Sequence, residues 1–170
     1  MRAILVGFMG SGKTTVGQLL ADELQTAHRD LDDMIVERAG KPVQQIFDDD
    51  GEQAFRAMEH QVLKDALADD GILSTGGGTP IQAANMALLQ ASNVPVILLD
   101  VAPATILSRL SGDNVRPLVK KLGLGGLVDL KGERDSRYHE VSDVEIATDD
   151  LTPEEVVDAV LTAIHATNHG

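Results

Sequence analysis

The octet Gly7-Phe8-Met9-Gly10-Ser11-Gly12-Lys13-Thr14 constrains this chain more than any other stretch, because it sets two spaced glycines ahead of a Lys and a hydroxyl residue. Glycines in such a loop let backbone N–H groups converge on phosphate oxygens. An apolar run over residues 3–8 leads into it, and Val16, Leu19, Leu20 and Leu24 follow at helical spacing within about 14–24. A strand, a tight loop and the positive end of a new helix are therefore expected in that order. In that setting Lys13 reaches the terminal phosphates of a nucleoside triphosphate and Thr14 holds magnesium.

The rest of the chain is compatible with a soluble enzyme built on that loop. Its 170 residues suit a single domain spanning 1–170, and 43% hydrophobic with 24% charged residues is an ordinary globular balance. A net charge of -13 repels nucleic-acid backbones and anionic membranes alike, and 2% aromatic residues leave few stacking platforms for single strands. The absence of cysteine excludes disulfides, thiolate zinc sites and Cys nucleophiles. The most apolar stretch, residues 94–101, is far too short for a membrane span. A short apolar start running straight into the glycine loop argues against an export signal, so the cytoplasm is the expected compartment and a monomer the expected state.

Apolar runs alternate with helical patterns along the whole length, which predicts an α/β fold around a largely parallel sheet. Strands are expected at 3–8, 72–75, 94–101 and 144–147, with a weaker one at 28–31 that Arg29 and Asp30 interrupt. Phe55, Met58, Val62 and Ala66 predict a helix that begins after Gly51 and stops near Gly71, and another covers 81–91. Thr152-Pro153-Glu154-Glu155 combines an N-cap hydroxyl, a Pro at the first helical position and a capping-box Glu, so a last helix starts there. The glycines within 120–126 predict a mobile loop.

Three groups of residues add chemistry. Asp30 and Asp32 stand two apart at the end of the second strand, where alternation directs both carboxylates to one side. One would serve the magnesium hydration shell and the other would orient an acceptor hydroxyl, while Asp33 starts the next helix. Gly76-Gly77-Gly78 follows another strand at its carboxyl end, where ligands bind in open α/β sheets. A chain this acidic needs local positive charge to bind ATP, and Arg56, Arg116 and Arg134 are candidates for that patch. Spacing alone does not single them out from surface arginines. Asp48 to Asp50 and Asp149-Asp150 read as solvated faces at turns, and His165 with His169 as a frayed tail.

Taken together, the phosphate loop, Asp30-Leu31-Asp32, Phe55-Arg56, Gly76-Gly77-Gly78, Arg116-Pro117-Leu118 and Arg134 with Tyr138 resemble the shikimate kinase family across the chain. The resemblance implies a three-layer P-loop kinase fold of the nucleoside-monophosphate-kinase-like type, with five parallel strands, helices on both faces and a mobile lid at about 111–127. It implies transfer of the ATP γ-phosphate to the 3-hydroxyl of shikimate with Mg2+ as the required ion. By match, Gly10, Ser11, Gly12, Lys13, Thr14 and Thr15 hold the nucleotide, with Arg109 stacked on adenine and Arg116 reaching the transferring phosphoryl. Thr14 and Asp30 serve the metal, and Asp32 is the acceptor's orienter or base. Arg56, Arg134 and the backbone of Gly77 hold the shikimate carboxylate and hydroxyls, and Lys13, Asp32 and Arg116 are the catalytic set.

Two positions depart from the family pattern. His28-Arg29 replaces an apolar approach to Asp30, and Arg137 before Tyr138 stands as a rival to Arg134. Other readings of the same loop are a gluconate-type or nucleotide kinase, with a different acceptor pocket, and a non-catalytic nucleotide-binding switch, which needs no such pocket.

Overall fold

A computed structural model describes residues 1–110 and 117–168. The apolar runs form strands β1 (Ala3–Val6), β2 (His28–Asp30), β3 (Ile72–Ser74), β4 (Val96–Asp100) and β5 (Val144–Ala147). All four pairings between them are parallel, in the order β2-β3-β1-β4-β5. β1 is central, with β3 on one side and β4 on the other, so the loop leaving its carboxyl end opens where the chain changes direction across the sheet.

Alternation along β1 divides the core. Ile4 and Val6 face one layer, made by α2 (Leu31–Ala39), α3 (Val43–Ala66), α4 (Ala83–Ala91) and α6 (Pro117–Val141), through Leu31, Ile35, Val62, Leu89 and Leu127. Ala3 and Leu5 face the other, made by α1 (Lys13–Glu23) and α7 (Pro153–Asn168), through Val16, Leu20, Val156 and Val160. Helix α5 (Pro103–Leu110) adds Ile106 to the first layer. Two sealed faces explain why the inner strands β1, β3 and β4 are short continuous buried runs, whereas the edge strands β2 and β5 carry Arg29 and Glu145. The expected three-layer architecture with five parallel strands is the one observed.

Several local expectations are corrected. Asp32 is not on a strand: β2 ends at Asp30, and the carboxylate of Asp30 accepts the Asp33 N–H at 3.1 Å, which starts α2 at Leu31. Capping therefore ends the strand two residues earlier than alternation suggests. A helix does begin after Gly51 as expected, but a further helical stretch from Val43 precedes it within α3 across a break at Gly51 (φ 87°), so Asp48 to Asp50 lie in a helix, where Asp49 and Asp50 pair with Lys41. The segment expected as a glycine-rich loop over 120–126 belongs to α6, which is interrupted at Gly123 (φ 67°). Residues 111–116 of the expected lid, Arg116 among them, lie outside the described residues, as does His169. Asp149 is more than a solvated charge, since it accepts the Ala102 N–H at 2.8 Å and the Thr105 hydroxyl at 2.6 Å and so fixes the first turn of α5.

The start of α7 is as expected, with Thr152 and Glu155 bonded reciprocally at 3.0 and 3.2 Å. Among the described residues, no helix is long and apolar enough to cross a membrane.

The polar approach to Asp30 also has a structural reason. The Ser74 hydroxyl donates to the Lys13 carbonyl at 3.0 Å, so its lone pairs are left for the His28 Nε2–H at 2.8 Å. His28 thus ties β2 and β3 to the first residue of α1.

Candidate active site

Residues 10–16 of the loop and first turn of α1 form one wall of a cleft of about 590 Å3 at the carboxyl edge of the sheet. Asp30, Asp32, Thr75, Gly76 and Gly77 form its floor, and Arg109, Thr148, Leu151, Pro153 and Val156 its far side. Within the loop, the Lys13 ammonium donates to Gly7 O at 2.7 Å and Phe8 O at 3.1 Å, and lies 3.4 Å from Ser11 Oγ. Those contacts fold the side chain over the loop, with its charge beside the converging N–H groups of the α1 N-terminus. Arg109 donates to Gly10 O at 2.7 Å, which brings α5 against the same loop.

Asp30 uses one carboxylate oxygen for its cap, and the other lies 3.5 Å from the Thr14 hydroxyl. Two hard oxygen donors at the mouth of a phosphate loop suit a divalent cation that takes its remaining ligands from water and phosphates. Among the described residues there is no cluster of three metal-ligating side chains, so any ion there would depend on the nucleotide.

Asp32 reaches the cleft from the first turn of α2. Its carboxyl is pushed up to about 6, chiefly by burial and then by the Asp30 and Glu59 carboxylates, against the opposing pull of Lys13 and Arg56. It packs on Gly76, where a Cβ would stand 3.1 Å from Oδ1. Such a group sits in the range where a carboxylate can take a proton and give it back near neutrality.

Beyond Gly77 lie two guanidiniums. Arg56 donates through Nη1 to both oxygens of Glu59, at 2.9 and 3.0 Å, while its buried Nε has no hydrogen-bond partner among the described residues and lies 3.9 Å from the Glu52 carboxylate. Arg134 has a buried Nη1 that likewise has no hydrogen-bond partner among the described residues, and its guanidinium carbon stands 5.9 Å from the centre of the Phe8 ring. A Cβ on Gly77 would be 3.6 Å from that Nη1, and one on Gly78 only 2.6 Å from Arg56 Nη2, so both cations border the glycine turn. Tyr138 braces the turn from behind by donating to Gly77 O at 2.6 Å, and burial pushes its hydroxyl up to about 12. Arg137 is exposed and donates to Ile81 O at 3.3 Å, outside this group.

The residues from 10 to 15, Asp30, Asp32, Gly77 and Arg109 therefore meet in one cleft, with Arg56 and Arg134 at its rim. Sequence reasoning missed Glu59, Thr79 and Asn85, and also Leu151 and Pro153 on the nucleotide side. Two of them carry a legible signal. Glu59 falls between Phe55 and Val62, and Asn85 four residues before Leu89, so each is a polar residue inside an apolar helical stripe.

Sheet order, loop and cleft define a P-loop kinase fold. The sequence profile of the family described as shikimate kinase matches residues 9–165. A shikimate kinase from Limosilactobacillus fermentum is 47% identical over 95% of this chain and 94% of its own length, and one from Saccharopolyspora erythraea is 42% identical over 96% and 94%. The solved structure of the Acinetobacter baumannii shikimate kinase in complex with shikimate superposes with a TM-score of 0.90 at 34% identity, covering 97% of this chain and 93% of that one. The chain belongs to the shikimate kinase family.

Proposed function

We propose that this chain transfers the γ-phosphoryl group of ATP to the 3-hydroxyl of shikimate. The observation that carries the reading is the pair of buried guanidinium nitrogens, Arg56 Nε and Arg134 Nη1, that have no hydrogen-bond partner among the described residues, Arg56 Nε having only the Glu52 carboxylate at 3.9 Å, and that border the acceptor end of a phosphate-loop cleft. A buried cationic donor left unpaired is costly, and a planar carboxylate answers two such forks at once. A phosphate acceptor that carries a carboxylate fits that demand; gluconate shares it, and the family match favours shikimate over gluconate.

In this reading the N–H groups of Gly10, Ser11, Gly12, Lys13, Thr14 and Thr15 hold the triphosphate, and Arg109 stacks on the adenine. Lys13 neutralises charge that gathers on the γ-phosphoryl oxygens, and Arg116 adds to it. Thr14 and Asp30 would hold Mg2+, which supplies charge neutralisation at the phosphates. Arg56, Arg134 and the N–H of Gly77 hold the carboxylate end of the acceptor, which leaves its 3-hydroxyl facing Asp32. Asp32 accepts the hydroxyl proton as the oxygen forms its bond to phosphorus and the bond to the β-phosphate oxygen breaks, releasing ADP. Every group named in this reading comes from one chain, so the reading needs no second copy, and it is that of a cytoplasmic monomer.

ADP release with a panel of acceptors tests the reading. Shikimate should stimulate release strongly; a response to gluconate or a nucleoside monophosphate but not to shikimate overturns it, and ATP binding without turnover on any acceptor marks a nucleotide-binding switch.

Two substitutions probe the carboxylate end. Arg134→Lys is expected to raise the shikimate KM roughly tenfold or more, because an ammonium cannot reproduce a guanidinium fork, whereas Arg137→Ala should leave it within about twofold. The reverse pattern in steady-state kinetics assigns the role to Arg137. Gly78→Ala places a methyl 2.6 Å from Arg56 Nη2, a distance no side chain tolerates. Because Arg56 is tied to Glu59, the clash must break that pair or shift the turn, and a rise of about tenfold in shikimate KM with little change for ATP is expected. Equal losses toward both substrates would show general damage instead.

A further inference from the structure

We infer that Asn85 is a positioning residue for recognition of the acceptor's carboxylate, acting through Glu59 on Arg56, and that His60 locks its amide. The inference rests on the reading that Arg56 meets the substrate carboxylate.

Glu59 is 1% exposed, and a buried carboxylate is tolerated only when its acceptor positions are filled. Oε1 takes Arg56 Nη1 at 2.9 Å and Asn85 Nδ2 at 3.1 Å, while Oε2 takes Arg56 Nη1 at 3.0 Å and the Thr79 hydroxyl at 3.0 Å. Glu59 therefore grips Arg56 by one nitrogen, not by a two-nitrogen fork. A single-nitrogen grip leaves Nη2 to a ligand, and Nε with only the exposed Glu52 carboxylate at 3.9 Å, but it fixes the guanidinium only as well as the carboxylate plane is fixed. That plane is held by Asn85 on one oxygen and Thr79 on the other.

The orientation of Asn85 follows from its neighbours. Its second amide hydrogen goes to Thr79 O at 3.0 Å, so both hydrogens face acceptors and its carbonyl must face His60. His60 then donates from Nδ1 to Asn85 Oδ1 at 2.8 Å. Every polar atom of the Asn85 side chain is thus used, and no flipped amide satisfies the same partners. The result joins α3, through Glu59 and His60, to α4 and to the turn that follows Gly78. One network sets both the cation and the glycine turn that flank the acceptor end.

The test compares shikimate with its methyl ester, which lacks the charge that Arg56 reads. In the wild-type chain, kcat/KM should favour shikimate over the ester by about tenfold or more. Asn85→Leu, of similar volume without donors, should cut that preference about tenfold through a higher shikimate KM, with kcat and the ATP KM within about twofold. His60→Ala, at a half-buried position, should cut the preference about threefold and decides the matter if Asn85→Leu does not fold. Equal losses on acid and ester, a fall in kcat alone, or an unchanged preference in both variants overturns the positioning role. A wild-type chain that does not turn over shikimate sinks the functional reading and this inference with it; a shikimate-active chain whose variants keep the full preference sinks this inference alone.

Discussion

Asp32→Asn is expected to lower kcat on shikimate by about a hundredfold or more while making the folded chain more stable at pH 8. The first effect follows from removing the group that accepts the hydroxyl proton, since a positioned base contributes on the order of 10² to 10⁴ in rate. ATP binding should stay near its wild-type value, because the phosphates are held by the loop. In the wild-type enzyme, kcat/KM should fall as pH drops below about 6, where the Asp32 carboxyl takes up its proton. Near-normal turnover by the variant removes Asp32 from the mechanism.

The second effect follows from the sign of the shift. Folding raises the Asp32 carboxyl from 3.8 to about 6, so the folded state holds that proton more tightly than the unfolded chain does. Stability associated with the protonated group is therefore full below about pH 4 and lost as pH rises through about 6. An uncharged Asn escapes that loss. Urea melts should show a gap between variant and wild type that is small at pH 4 and grows to about 1–3 kcal/mol at pH 8. A gap that shrinks with rising pH contradicts the burial of an ionised carboxylate at this position.

Lys13→Ala is expected to reduce kcat/KM for ATP by roughly 10² to 10³, the scale of losing a preorganised charge at the transferring group. The ammonium acts in two ways that one substitution removes together. It pins the Gly7 and Phe8 carbonyls, which keeps the loop open for phosphates, and it supplies positive charge inside a chain of net charge -13. Titration with a non-hydrolysable ATP analogue separates them, because a collapsed loop weakens the analogue's binding whereas a missing catalytic charge leaves binding and removes turnover. Unchanged kinetics would falsify the assignment of Lys13 to the phosphates.

The phosphate loop was fully legible because its chemistry is local: eight consecutive residues fix both the turn and the charge. Asp30 and Asp32 were found by type, and Asp30 does end its strand, but Asp32 was set on the wrong element. The deciding contact, a carboxylate capping the N–H of Asp33, depends on where the backbone turns, and alternation does not show that. Arg56 and Arg134 lie on helices far apart in sequence, and nothing in their spacing separated them from surface arginines; the family pattern did that. Glu59 and Asn85 were missed because each hides in a stripe that predicts its helix correctly. Their partners come from α3, α4 and the turn between β3 and α4, which only the folded sheet assembles. The break at Gly123 escaped notice for the opposite reason, because several glycines close together read as loop while the backbone stays helical on both sides of one of them.

His28, Ser74 and Gly17 form a matched set. A methyl group at position 17 would lie 2.6 Å from two atoms of the imidazole and 2.7 Å from Ser74 Oγ, so the helix has no room for alanine while histidine at 28 and serine at 74 occupy the neighbouring strands. Alanine at 17 would otherwise favour the helix by about 1 kcal/mol over glycine. Relatives with alanine at 17 should therefore carry side chains at both 28 and 74 that withdraw from the helix, the three positions changing in concert and each carrying the history of the others.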